Sequence, residues 1–263
     1  MVNDTIGVIF MPRAPRKKSE SGIYHIVMRG INRQTVFEDE EDSFKFIQTL
    51  RKYKEICGYS LYAYCLMGNH VHLLLKEGKE PLGTMTRRIC GSYVLWYNKK
   101  YNRIGYLFQD RFKSEPVEDD KYFLTVLRYI FQNPIKAGIV THIENYSWSN
   151  YSHYIKGNHW TDIDFAIDIF DTDRNTAARR FIDYINKENT DVCLELGECK
   201  KLNDGEAIKL IKDICKVDNE QDLQKVDIHR RNVYIRELKE KHSLSIRQIE
   251  RLTGISKGVI QRI

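Results

Sequence analysis

Hydrophobic residues recur with two different periods along this chain, and the switches between them predict its elements. Residues 22–29 (Gly-Ile-Tyr-His-Ile-Val-Met-Arg) are β-rich and stop at Gly30, after which the acidic stretch 38–42 leads into an amphipathic helix over 43–57. Phe44, Ile47, Leu50 and Ile56 form its apolar stripe. Residues 59–67 and 70–76 read as two more strands joined by Gly68-Asn69, a two-residue hairpin. A helix over 82–100 and a strand over 112–118 follow. Asp119-Asp120 then opens a helix expected to end near Asn133, because Pro134 disfavours helical backbone before it. The order β-α-β-β-α-β-α predicts an α+β fold, a ferredoxin-like antiparallel sheet with helices on one face and one helix added. Near the end, residues 244–260 have the cadence of a helix-turn-helix, with Ser245 as cap, Gly254 at the turn and Ser256 opening a second helix. The expected organisation is a catalytic-type domain over 11–155, a connecting segment over 156–206 and an all-helical module over 207–263.

Composition supports two modules: 263 residues at 42% hydrophobic and 30% charged suffice for one sizeable core plus a smaller unit. No apolar run approaches the ~20 residues that span a bilayer, and the amino terminus lacks a basic-then-apolar order, so a soluble, cytoplasmic protein with no membrane partner is expected. Six cysteines without a Cys-x-x-Cys pair are expected to stay reduced. Met11-Pro12-Arg13-Ala14-Pro15-Arg16-Lys17-Lys18 resembles a natural start followed by a basic arm, which makes Met11 the candidate first residue.

The net charge of +6 hides regional differences. Residues 99–113 hold five cations (Lys99, Lys100, Arg103, Arg111, Lys113) against one acid, interleaved with Tyr101, Tyr106, Phe108 and Phe112 and preceded by Tyr97. Cations alternating with rings suit a single-stranded nucleic acid; aromatics plugging a core under a solvated loop give the same pattern. Residues 160–206 carry twelve acids and six bases, a composition that avoids nucleic acid. Residues 230–262 carry nine bases and three acids, as a DNA-facing surface would, with Arg247 and Lys257 as candidate contacts to duplex DNA.

Chemistry enters at Gly68-Asn69-His70-Val71-His72-Leu73-Leu74-Leu75. Side chains alternate across a strand, so His70 and His72 share one face while Val71, Leu73 and Leu75 anchor the other. Two neutral imidazoles on one face can grip a divalent cation. On the last predicted helix of this region, Tyr129 and Asn133 lie one turn apart and project from one side. A core tyrosine and a helix-capping Asn are the ordinary readings of that pair. Taken together, however, a cation on His70 and His72, with the Asn133 side-chain oxygen as third ligand, would polarise a phosphodiester for attack by Tyr129. Mg²⁺ or Mn²⁺ suits such a mixed imidazole and oxygen set with open positions.

The chain at this point resembles the HUH single-strand nucleases, in particular the single-tyrosine transposases of the insertion-sequence type and their REP-associated relatives. His70-Val71-His72 resembles the His-hydrophobic-His motif, and Tyr-Ile-x-x-Asn-Pro at 129–134 resembles the segment with the catalytic tyrosine. Leu107-Phe108-Gln109-Asp110-Arg111-Phe112 and Trp148-Ser149-Asn150-Tyr151 look like further family landmarks, so the likeness spans roughly 11–154. It implies a ferredoxin-like catalytic domain, dependence on Mg²⁺ or Mn²⁺, and cleavage leaving a 5′-phosphotyrosine and a free 3′-hydroxyl. Related insertion-sequence enzymes carry glutamine where this chain has Asn133, one methylene shorter. Some relatives build each site from two chains by exchanging the tyrosine helix, which makes a homodimer an expectation.

The resulting expectation is a DNA strand-transferase that cleaves single-stranded DNA near a hairpin, its carboxyl-terminal module holding duplex DNA. The alternative is a sequence-specific DNA-binding regulator on a catalytically silent domain. Arg29, Arg111 and Lys113 are candidate phosphate contacts from charge and position. His25 reads as a core histidine that could face the same site, and Glu115 and Glu118 as exposed strand residues.

Overall fold

The alternation in β3 (His70–Lys76) decides how the first part of the molecule is built. Val71, Leu73 and Leu75 are fully buried on one side of the sheet, in a core shared with Phe46, Leu50, Met85, Ile89 and Tyr93. The computed structural model describes residues 16–109, 111–157, 160–194, 202–240, 242 and 244–263. The candidate start at Met11, the first part of the basic arm, Asp110, His159 and Cys199 lie outside them. The chain divides into two compact units at residues 196 and 197.

In the first unit β3 pairs with β1 (Ile23–Arg29) and with β2 (Ser60–Met67), and β4 (Lys113–Pro116) joins the far side of β1. All pairings are antiparallel and the order is β2-β3-β1-β4, as the ferredoxin-like reading predicts. The expected strand 70–76 and the expected helix 82–100 coincide with β3 and with α2 (Leu82–Lys100). Two loops close the sheet's exposed backbone. Asn150 accepts from the Tyr64 amide and donates to the Tyr62 carbonyl along β2. Beyond β4, the Ile31 amide donates to the Leu107 carbonyl and the Gln109 amide to the Arg29 carbonyl. An unpaired sheet edge is a template for aggregation, so these contacts give both landmark segments a structural task.

Helices cover both faces, not one as expected. α1 (Glu40–Cys57) and α2 pack on the Val71 face, whereas α3 (Asp120–Lys136) lies on the opposite face with Ile23, Ala63, Cys65, Met67 and Leu74. α4 (Tyr151–Lys156), α5 (Asp164–Phe170) and α6 (Arg174–Asn186) extend that second layer, Phe181 of α6 stacking 4.5 Å from Tyr154. The acidic stretch expected as a connector therefore supplies core: Ala166, Ile167, Ala177, Phe181 and Ile185 are buried with α3, and the charges occupy the outer helix faces.

Two other expectations differ. α1 turns Phe46, Thr49, Leu50 and Cys57 inward and leaves Phe44 57% exposed and Ile56 49% exposed. The inner stripe begins at Asp42, fully buried, whose carboxylate receives Lys100 at 2.9 Å and the Tyr101 hydroxyl. A stripe anchored by a charge is invisible to a hydrophobic period. α3 runs through Pro134 to Lys136. Proline there sits in the last turn, so only one main-chain hydrogen bond is forfeited and the cost is that of a helix end.

The second unit is helical: α7 (Asp204–Cys215), α8 (Ile228–Glu240), α9 (Ile246–Thr253) and α10 (Lys257–Arg262). Ile211, Ile235, Leu238, Ile249, Leu252 and Ile260 form its core. The Ser245 side chain accepts from the Gln248 amide at the start of α9. Gly254 ends that helix at φ 72°, a left-handed conformation that favours glycine, and a Cβ there would displace the end of the Gln224 side chain, whose Nε2 lies 2.4 Å away.

Candidate active site

The α3 face of the sheet carries the chemistry. Cross-strand partners place Arg29 opposite His70, Val27 opposite His72 and His25 opposite Leu74, and β4 sets Glu115 opposite His25. Partners across an antiparallel ladder share a face, so His25, Arg29, His70, His72, Lys113 and Glu115 belong to one side. The two motif rings lie 5.0 Å apart. His72 and His25 are buried, and the His72 Nδ1 lies 3.1 Å from His25 Nε2. The His70 Nδ1 lies 2.6 Å from the Asn69 side-chain oxygen.

Burial pushes the His25 imidazole down to about 3. Burial and then the Arg29 charge lower His70 to about 4, and burial, followed by its two histidine neighbours, holds His72 well below the ordinary value. All three rings are thus neutral at neutral pH, the state in which imidazole ligates metal. Among the described residues the side-chain hydrogen bonds of His70 and His72 run through Nδ1, which makes Nε2 of both the candidate ligating atom. Among the described residues no group of three His, Cys, Asp or Glu forms a candidate metal cluster, so a cation here needs oxygen donors of another kind.

Tyr129 reaches this face from above. α3 starts at Asp119, whose carboxylate accepts from the Tyr122 amide, and is pinned from outside by Arg128, which pairs with Asp191 at 2.7 and 2.9 Å, and by Gln132, which donates to the Ile185 carbonyl. The Tyr129 ring stands edge-on to His72 at 5.7 Å and to His25 at 5.8 Å, in the same chain. Asn133, one turn on, donates its Nδ2 to the Tyr129 carbonyl at 2.8 Å, and among the described residues its Oδ1 accepts no hydrogen bond. Lys136, two turns on, holds its Nζ 5.2 Å from the Tyr129 ring centre.

Three of these residues were not assigned a role from sequence. His25 read as a core histidine, and it is one, but its partner is the metal-motif ring. Glu115 read as an exposed strand residue; its side chain is 35% exposed and comes within 4.0 Å of His25 Nδ1. Lys136 shares the face of Tyr129 at seven residues' spacing, a signal that was available. Glu118 is a structural acid, accepting from the Ser19 hydroxyl and from the Glu20 and Ser21 amides.

The expected phosphate contacts divide. Lys100 is bound by Asp39, Glu41 and Asp42 at 2.7 to 2.9 Å, and Arg103 donates to Gln34 above the Tyr97 ring, so both are committed within the fold. Lys99, Arg111 and Lys113 are exposed, as are Arg247 and Lys257 in the second unit. On the α1–α2 side of the sheet, α2, residues 105–109 and residues 111–112 wall a groove of about 740 Å³. Arg87, Arg111 and Tyr106 line it, and the Arg16 guanidinium lies 3.7 Å over the Phe112 ring within it.

One face of the ferredoxin-order sheet thus carries a His-x-His pair beneath a helix-borne tyrosine. Residues 18–133 match the family described as "Transposase IS200 like", so that stretch is similar to this family. A Haemophilus influenzae protein named for the REP-associated tyrosine transposases is 27% identical over 139 residues, which cover 46% of this chain and 78% of that protein. A solved REP-associated tyrosine transposase, bound to a REP hairpin, is 17% identical with a TM-score of 0.50, covering 59% of this chain and 96% of that one. The second likeness is one of fold.

Proposed function

We propose that the first unit is a divalent-metal-dependent single-strand DNA endonuclease and strand-transferase, with Tyr129 as nucleophile and hairpin-bearing DNA as substrate. The observation that carries this reading is the Tyr129 ring standing 5.7 Å from His72 within one chain. We read the chemistry as acting in cis, with Tyr129 and the paired histidines supplied by one chain. The Tyr129 oxygen gives up its proton and forms a bond to phosphorus while the bond to the 3′ oxygen breaks. The 3′ oxygen takes a proton, leaving a free 3′-hydroxyl and a 5′-phosphotyrosine. Because the ester keeps the energy of the broken bond, attack by another 3′-hydroxyl rejoins strands without a nucleotide cofactor.

Nε2 of His70 and of His72 and Oδ1 of Asn133 form a mixed donor set that fits Mg²⁺ or Mn²⁺ with positions left open. When bound, such an ion supplies positive charge to a phosphate oxygen. Arg29, opposite His70, extends that positive field, and the Lys136 ammonium lies 5.2 Å from the Tyr129 ring centre. The groove of Arg16, Arg87, Arg111, Tyr106 and Phe112 has the alternation of cation and ring that single strands use. The hairpin is carried over from the solved relative. We read α9 and α10, with Arg247 and Lys257 exposed, as a helix-turn-helix for duplex DNA.

Fluorescent single-stranded DNA bearing a hairpin, incubated with the protein and Mn²⁺, is expected to give a covalent protein–DNA band on a denaturing gel. The band disappears in Tyr129→Phe and on chelation. DNA binding without any adduct from the wild type, across hairpin substrates, would establish the regulator instead.

A further inference from the structure

His25 is the most buried polar group of the site, and it touches no candidate ligand position. Its Nε2 lies 3.1 Å from His72 Nδ1, the rings being 5.4 Å apart and nearly parallel. Between two neutral imidazoles in that contact there is one proton, and its location decides what His72 can do. If His72 carries it on Nδ1, the Nε2 lone pair is free for a cation. If His25 donates it instead, the His72 proton sits on Nε2 and blocks ligation.

We propose that His25, steered by Glu115, is a positioning residue that locks His72 in the Nδ1–H tautomer and so prepares its Nε2 for the cation. This inference rests on the metal-dependent reading of the site. His25 Nδ1 is buried and has no hydrogen-bond partner, and the carboxylate of Glu115 lies 4.0 Å from it. That carboxylate accepts from the Leu194 amide at 3.1 Å. A negative oxygen facing Nδ1 attracts a proton there and repels a bare lone pair. His25 then has only a lone pair on Nε2, and it must accept from His72. His70 has a matching device: the Asn69 side-chain oxygen can only accept, so His70 Nδ1 must donate. Two separate local contacts thus set both rings of the motif the same way round. A carboxylate–histidine–histidine chain of this kind is built for orientation, because no water reaches His25 to choose between the tautomers.

Nitrogen-15 NMR of the metal-free wild-type protein tests the proposal directly. It is expected to show His70 and His72 both protonated on Nδ1 and His25 on Nδ1. A proton on Nε2 of His72 overturns it. Mn²⁺ titration of three variants supplies the second test, with thermal melts confirming that each is folded. His25→Phe, which fills the space but cannot accept, is expected to weaken Mn²⁺ binding by about 10–100-fold. His25→Gln, whose amide oxygen can accept, recovers most of that loss, and Glu115→Gln lies between wild type and His25→Phe. A residue serving only as packing gives the reverse order, with phenylalanine tolerated and glutamine not. Wild-type affinity in His25→Phe, or equal loss in both His25 variants, also overturns the proposal. Should His25→Phe not fold, the tautomer measurement decides alone. If the wild type takes up no Mn²⁺, the metal-dependent reading fails, while the tautomers of the metal-free protein still settle this inference separately.

Discussion

β3 writes both faces of the sheet in seven residues, and the two faces do opposite things. Val71, Leu73 and Leu75 disappear into the α1–α2 core. One step out of phase, His70 and His72 face α3 among His25, Arg29 and Glu115, with the apolar Val27 and Leu74 between them. Burying two neutral imidazoles, and half-burying a third, costs stability that aliphatic side chains in the same places would contribute. The molecule recovers it on the other face of the same strand.

The comparison breaks most sharply between neighbours. His72→Ala is expected to abolish the covalent adduct and measurable Mn²⁺ binding, with a much smaller effect on denaturant unfolding than its neighbour has. Leu73→Ala is expected to cost about 2–5 kcal/mol of unfolding free energy, by transfer and cavity terms, while the protein that remains folded still forms adduct. If Leu73→Ala removes adduct formation from the folded fraction, or His72→Ala matches it in instability, the division of labour between the faces is wrong.

Acid sharpens the same contrast by a smaller amount. The folded-state value of His25 is about 3 against about 6.5 for an unconstrained histidine. Between those values the unfolded chain binds a proton that the folded one refuses, so stability is full above about pH 6.5 and falls as pH drops. The slope is about 1.4 kcal/mol per pH unit for one such group, or about 2 kcal/mol from pH 6.5 to pH 5. His70, at about 4, adds in the same direction. Urea midpoints measured at pH 7, 6 and 5 should therefore fall. His25→Phe should flatten the slope, and Leu73→Ala should lower all three midpoints in parallel. A wild type equally stable at pH 7 and pH 5 would contradict the neutral, buried state of these rings.

How far the two faces were legible in the sequence follows from the same physics. The apolar face depends on alternation within one strand, so the bounds of β3 and the His70–His72 pairing could be read directly. Tyr129 could be placed on a helix by spacing, and the family resemblance joined the two. The rest of the site is assembled by cross-strand register: His25 meets His72, and Glu115 meets His25, only because β1 lies between β3 and β4. A single sequence does not display that order in its local pattern. The acidic stretch misled for a related reason, since net charge averages over a helix whose inner face is Ala177, Phe181 and Ile185. Lys100 looked like a phosphate contact because its three carboxylate partners lie some sixty residues earlier in the chain.

The smallest effect concerns the rim of the apolar face, where hydrophobic periodicity and structure disagree about α1. The apolar stripe of Phe44, Ile47, Leu50 and Ile56 would make Phe44 a core residue, whereas it is 57% exposed and meets only the edge of Trp148, at 5.1 Å. Phe46, two residues on, is fully buried against Tyr93 and Phe37. Phe46→Ala should cost about 3–5 kcal/mol, as a deleted core aromatic does. Phe44→Ala should cost below about 1 kcal/mol, since it loses one aromatic edge contact and gains helix propensity. The pair of measurements fixes the rotation of α1 about its axis independently of any site chemistry. Equal losses would mean that the helix sits with Phe44 inward, and then Asp42 could not reach Lys100; the cation now committed to the fold would return to the set available for phosphate.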